Sequence, residues 1–77
     1  MPIQIQIRLY ASLKPLEPPS AASHPLAPGT TAGEVLAQLD VPSARVKLVF
    51  VNGRKADLSR VLEDGDRLGV FPPVGGG

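Results

Sequence analysis

The chain has no cysteine and no tryptophan, a single histidine (His24), a single methionine (Met1) and only three aromatic residues, Tyr10, Phe50 and Phe71. Each shortage excludes something. Without cysteine there is no disulfide scaffold and no thiolate metal site. A lone His24 gives no histidine pair for a metal, and Ser12, Ser59 and the scattered acids form no spaced constellation. No metal ligand and no catalytic side chain is therefore assigned. An excess of one charge is missing too: eight Lys and Arg face seven Asp and Glu, for a net charge of +1. Nucleic-acid binders usually show a basic patch or stripe, and no run of like charge suggests an interaction tail. No apolar stretch approaches the roughly 20 residues of a membrane helix. Met1 leads into the alternating segment Pro2 to Leu9, not into a charged head and apolar run, so no secretory leader is expected. The expectation is a soluble cytoplasmic protein that binds neither nucleic acid nor membrane.

What is present is enough for one small domain. At 77 residues, with 43% apolar content, the chain is expected to bury only about 60% of its extended-chain surface, so the core must be economical. Ile3, Ile5, Ile7 and Leu9 alternate with Gln4, Gln6 and Arg8, the period of two of a half-buried strand. Between Tyr10 and Ser23, Pro15, Pro18 and Pro19 restrict any helix to a turn over Ala11 to Leu16. His24 to Ala27 reads as a short edge strand, because Pro25 is tolerated only at an edge or bulge. Thr31 and Glu34 have capping-box spacing. Val35, Leu36 and Leu39 then fall on one helical face, which predicts a helix from Ala32 to Leu39 or Asp40, discouraged from continuing by Pro42. Val46 to Val51 reads as a largely buried strand. Asn52-Gly53 predicts a type I′ hairpin returning through Arg54 to Ala56. Asp57 to Leu62 is expected to make a short helical turn placing Leu58, Val61 and Leu62 under the sheet. After the turn Glu63-Asp64-Gly65-Asp66, a last strand runs from Arg67 to Phe71 and is stopped by Pro72 and Pro73. This order predicts an α+β domain: a mixed sheet of four or five strands with one main helix on one face. With the first and last strands side by side in the middle, it would be a β-grasp, ubiquitin-like sheet. Residues 1–74 are taken as this domain and 75–77 as a flexible tail.

The carboxyl-terminal segment Phe71-Pro72-Pro73-Val74-Gly75-Gly76-Gly77 is the feature with chemical content. Glycine loses more backbone entropy on ordering than any other residue, so a glycine run contributes nothing to a core. Its useful property is reach: without Cβ atoms it can thread a narrow channel and deliver a terminal carboxylate into another protein's active site. Pro72 and Pro73 stiffen the root of the tail in an extended form, which lowers the ordering cost of docking.

The segments Phe50-Val51-Asn52-Gly53, Glu63-Asp64-Gly65-Asp66 and Phe71 to Gly77, in this order and over nearly the whole chain, resemble the sulfur-carrier proteins of the MoaD/ThiS family. The resemblance implies a β-grasp fold and a protein that is a cosubstrate, not a catalyst on its own. A partner adenylating enzyme with bound ATP would activate the Gly77 carboxylate. A sulfur donor would then convert it to a thiocarboxylate, which passes sulfur to a biosynthetic intermediate on the large subunit of molybdopterin synthase or another sulfur-accepting synthase. On this reading Gly77 is the reacting residue. Gly76, Gly75, Val74, Pro73, Pro72 and Phe71 thread and dock the tail, and the carrier itself holds no cofactor. Two departures are visible. Gly75 stands where the family commonly has Ala or Ser, and the link Asp40 to Arg45 is shorter than in many molybdopterin synthase small subunits. Phe71-Pro72-Pro73-Val74 favours the molybdopterin (or tungsten) side, whereas the compact link is closer to the thiamin side. A ubiquitin-like modifier would use the same adenylated glycine to form an isopeptide bond with a lysine.

Overall fold

The alternating segment Ile3–Leu9 forms strand β1 in the computed structural model of the protein, which describes residues 1–73. Its odd-numbered side chains turn to the core, with Ile5, Ile7 and Leu9 fully buried. A 3₁₀ turn at Ala11–Leu16 follows, then β2 (His24–Leu26), helix α1 (Ala32–Gln38), a 3₁₀ turn at Ser43–Arg45, β3 (Leu48–Val51), β4 (Arg54–Ala56) and β5 (Arg67–Phe71). The five strands make one sheet in the order β2-β1-β5-β3-β4. β1 and β5 run parallel, pairing Gln6 with Arg67 through Leu9 with Val70. Every other pairing is antiparallel. With α1 covering one face, this is the ubiquitin-like β-grasp architecture.

The core between sheet and helix is entirely aliphatic: Ile5, Ile7, Leu9, Val49, Val51, Leu68 and Val70 from the strands meet Ala32, Val35 and Leu36 from α1, sealed by Leu13, Leu26, Val41 and Leu62. Burial of apolar area at roughly 25 cal/mol per Å² is what holds so small a domain together.

α1 begins where the capping box places it. The Glu34 carboxylate accepts from the Thr31 N–H (2.8 Å), and the Glu34 N–H donates to the Thr31 hydroxyl (3.2 Å). Its end comes earlier than Pro42 alone would require. Asp40 adopts a left-handed φ of 60°. Its N–H bonds Ala37 C=O (3.1 Å), while the Val41 N–H reaches back to Leu36 C=O (2.9 Å). This is the Schellman arrangement, with aspartate in the position usually held by glycine.

Two expectations are corrected. Asp57 to Leu62 is not helical. The carbonyls of Arg60 and Leu58 instead accept from Ala32 N–H (2.9 Å) and Gly33 N–H (2.8 Å), and Thr30 C=O accepts from Leu62 N–H (2.9 Å). The segment thus satisfies donors that the first turn of a helix leaves free, and acceptors used that way cannot serve a helix of their own. Leu62 is buried as expected, but Leu58 and Val61 face outward, 39% and 49% exposed. The strand expected over Val46 to Val51 starts at Leu48 and is half-buried, with only Val49 and Val51 in the core. Among the described residues its other face meets no second layer.

Side chains finish the sheet's weak points. Beyond the short β2, β1 would expose its ladder. Ile7 N–H is taken by Ala21 C=O (2.8 Å) and Leu9 N–H by the Glu17 carboxylate (2.9 Å). That backbone bond, assisted by Lys14 and Arg8, holds the Glu17 carboxyl below the usual glutamate range against the opposing effect of desolvation. At the hairpin, Asn52 (φ 55°) and Gly53 (φ 81°) make the expected turn. The Asn52 side chain also donates to the nearly buried Asp66 carboxylate (2.8 Å) and accepts from Arg67 N–H (2.9 Å). Asp66 accepts in turn from Glu63 N–H (2.8 Å), so the hairpin and the Glu63–Asp66 turn are bolted together.

Asn52→Ala removes both side-chain bonds and puts a Cβ-bearing residue without local compensation at positive φ, and is expected to cost about 2–3 kcal/mol in chemical denaturation. Asn52→Gly should be milder, because it relieves the backbone part; equal stability of the two variants would contradict this account. For Glu17, a carboxyl whose folded pKa is lowered contributes stability that is complete above its unfolded value and is lost as pH falls through the folded one. Wild type should therefore exceed Glu17→Gln in stability near neutral pH, with the gap closing in acid below the usual glutamate range. A gap independent of pH would count against the ionised cap.

Candidate functional site

The sheet has one covered face and one open face, and residue parity sorts the chain between them. Even-numbered residues of β1 and odd-numbered residues of β5 face away from α1. Together with Leu48, Phe50 and Lys55, which lies opposite Phe50 in the β3–β4 register, they form the open face. All three aromatic residues of the chain stand on it. The Tyr10 and Phe71 rings stack in parallel, centroids 4.2 Å apart with 1° between planes. Phe50 meets Phe71 edge-on at 5.5 Å and 83°. Offset or edge-to-face aromatic pairs of this kind contribute about 0.5–1.5 kcal/mol each beyond their buried area. Gly69 lies beneath them; a Cβ there would sit 3.6 Å from the Tyr10 ring. That distance is ordinary van der Waals contact, so the ring rests directly on the sheet at this position.

Around this cluster runs a shallow groove of 480 Å³, bounded by Gln6, Arg8, Arg67 and Asn52 as well as the aromatics. Arg8 and Arg67 are exposed. Among the described residues the one ion pair is Lys14–Glu17, away from this face. The face thus offers an apolar centre with guanidinium groups at its margin, a pattern that suits a partner presenting apolar side chains flanked by carboxylates.

The carboxyl-terminal segment starts from the edge of the same cluster. β5 is held on both sides to its last residue: Tyr10 N–H donates to Val70 C=O (3.1 Å) and Lys47 N–H to Phe71 C=O (2.8 Å). Pro72 and Pro73 have no N–H to continue the ladder. Pro72 is buried and Pro73 exposed, so the chain turns from domain to surface between them. Of the residues singled out from the sequence, Phe71, Pro72 and Pro73 are therefore together at the end of the central strand pair. Val74, Gly75, Gly76 and Gly77 lie outside the described residues. Sequence reasoning passed over Tyr10, Arg8, Arg67 and Gly69 as site residues, and used Phe50 only within the Phe50-Val51-Asn52-Gly53 segment. Parity could have found them: Tyr10 continues the outward series Gln4, Gln6, Arg8, and Phe50 falls between the inward Val49 and Val51. Among the described residues no three His, Asp or Glu side chains gather closely enough to hold a metal ion, and no helix is long and apolar enough to cross a membrane.

No protein of curated function matches the chain in sequence. Several solved structures share its fold. Small archaeal modifier protein 1 of Haloferax volcanii is 24% identical with a TM-score of 0.69, over 94% of this chain and 99% of that one. A putative molybdopterin converting factor subunit 1 from Pyrococcus furiosus is 21% identical with a TM-score of 0.67, over 94% and 99%. A Helicobacter pylori chain, solved in the complex of subunits 1 and 2 of molybdopterin-converting factor, is 22% identical with a TM-score of 0.58, over 97% and 100%. At these identities the likeness speaks for the architecture. The family model carries more: that of the ThiS family matches residues 7–77, from the middle of β1 through the last glycine. The chain therefore belongs to the ThiS family, within the ubiquitin-like β-grasp proteins.

Proposed function

We propose that the protein is a sulfur carrier that works through the carboxylate of Gly77. The observation that carries this reading is the extent of the family match, which runs through Gly77 and so takes in the glycine tail as well as the globular part. The chemistry follows from the functional group. A carboxylate is a poor electrophile because its leaving group is poor. Adenylation by a partner enzyme using ATP provides a good one, and dividing a hard substitution into easier steps is the advantage of a covalent intermediate. Attack by hydrosulfide on the acyl-adenylate forms the C–S bond as the C–O bond to the phosphate breaks, so AMP leaves and a thiocarboxylate remains. The carrier contributes the acyl group and its partners the catalytic residues. Gly75, Gly76 and Gly77 give the tail a cross-section without side chains, and Pro72 and Pro73 start it in a restricted conformation. The open face, with its aromatic centre and arginine margin, is the surface on which the adenylating enzyme and a sulfur-accepting synthase would seat the domain.

Within this reading we favour donation of sulfur in molybdenum or tungsten pterin-cofactor synthesis. The Phe71-Pro72-Pro73-Val74 root supports it, as does likeness to structures titled as subunit 1 of molybdopterin converting factor. A protein modifier is the second reading, favoured by the likeness to small archaeal modifier protein 1.

Incubation with the adenylating enzyme of the source organism, ATP and a sulfur source should replace one oxygen of the intact protein by sulfur, seen by mass spectrometry and located at Gly77 by fragmentation. Deleting Gly77 should abolish the modification without lowering the melting temperature. An unmodified mass in a system that activates another carrier would overturn the proposal. Gly77 found joined to lysines of many cellular proteins would decide for the modifier.

A further inference from the structure

We infer that Tyr10 is a positioning residue, whose ring fixes the direction in which the carboxyl-terminal segment leaves the sheet. The inference rests on the carrier-or-modifier reading only for its consequence in activation; the positioning itself is a property of the free protein.

Tyr10 is placed at the junction of the two central strands. It is the first residue after β1, and its backbone is tied on both sides: its N–H donates to Val70 C=O (3.1 Å) and its C=O accepts from Leu13 N–H (3.0 Å). The next residue, Ala11, turns the chain at φ 52°, a left-handed conformation that a residue with a Cβ seldom adopts. A backbone held this way leaves the Tyr10 side chain little choice of direction, and it lies over Gly69 with its face on Phe71. Phe71 is thereby fixed three times: by its carbonyl to Lys47 N–H, by the Tyr10 ring on its face, and by Phe50 edge-on. Among the described residues it is the last with a ladder hydrogen bond, and only Pro72 and Pro73, each with a ring-restricted φ, separate it from Val74. Fixing Phe71 therefore sets where and in which direction Pro72 and Pro73 leave the sheet.

Simple burial does not account for the stack. The core is complete without any aromatic residue, and Tyr10 remains 39% exposed. A tail that starts in a set direction loses less freedom when it enters a channel, which appears as tighter docking and not as faster chemistry once seated.

The test uses the full chain with Tyr10→Ala, Tyr10→Leu and Tyr10→Phe, and two measurements. In the free protein, carbon-13 relaxation at Pro73 should report a looser Cα in Tyr10→Ala and Tyr10→Leu and a wild-type value in Tyr10→Phe. Tyr10→Leu keeps an apolar side chain over Gly69, so it serves if Tyr10→Ala fails to fold. In ATP–pyrophosphate exchange by the cognate adenylating enzyme, Tyr10→Leu should raise the KM for the carrier about threefold to tenfold, with kcat nearly unchanged, and Tyr10→Phe should match wild type. Unchanged relaxation at Pro73 in Tyr10→Leu overturns the inference. If KM still rises in that case, Tyr10 is a docking contact and not a positioning residue. A Tyr10→Phe protein as loose as Tyr10→Leu also overturns it, since the hydroxyl and not the stack would then be responsible. If wild type itself is never activated, the carrier reading fails, and the relaxation measurement still decides the role of Tyr10.

Discussion

The parallel pairing of β1 with β5 is the constraint on which the rest depends. Two strands joined in parallel need a crossover, and all of the intervening chain is that crossover. It carries α1 across one face and the β3–β4 hairpin to the far side of β5. The central pair is hydrogen-bonded on both flanks, so its residues are the most fully determined in the molecule. The carboxyl-terminal segment starts from the end of that pair, in contrast to a tail hung from a frayed edge.

A division of side-chain types follows from there being only one helix. Aliphatic residues fill the covered face and are interchangeable in kind: isoleucine, leucine and valine need only volume and parity. The open face holds every aromatic ring, Gly69 beneath the Tyr10 ring, and arginines in no ion pair among the described residues. The aliphatic core therefore lies on one side of the sheet and the aromatic cluster on the other. Substitutions on the open face need not disturb the core.

Much of this was legible in the sequence because it is local. The alternation of Ile3 to Leu9, the Thr31–Glu34 box and Asn52-Gly53 each specify their conformation within a few residues, and each is found where its pattern places it. The failures have a common cause in partners distant along the chain. Asp57 to Leu62 has the composition of a helical turn, but its carbonyls are taken by the start of α1, about thirty residues earlier in the chain. Asn52 carries the signature of a turn, yet its side chain also serves Asp66 and the Arg67 backbone. The aromatic cluster joins residues from β3, β5 and the end of β1, and no window of sequence contains all three. The chemistry of the tail was read from its composition and its family resemblance. The structure adds the surface beside which it starts.

The position of β5 also bears on how the protein is made. It follows every other described element in the chain, yet it occupies the middle of the sheet. Until it emerges, β1 and β3 have no partner between them, and neither the two halves of the sheet nor the face under α1 can close. Contacts of such wide sequence separation are slow to form, and folding is held back until synthesis has nearly passed the last strand. The same event that completes the core seats Phe71 under Tyr10. In a misfolded chain Phe71 would lack its place against Tyr10, so the start of the carboxyl-terminal segment is set only in the folded domain.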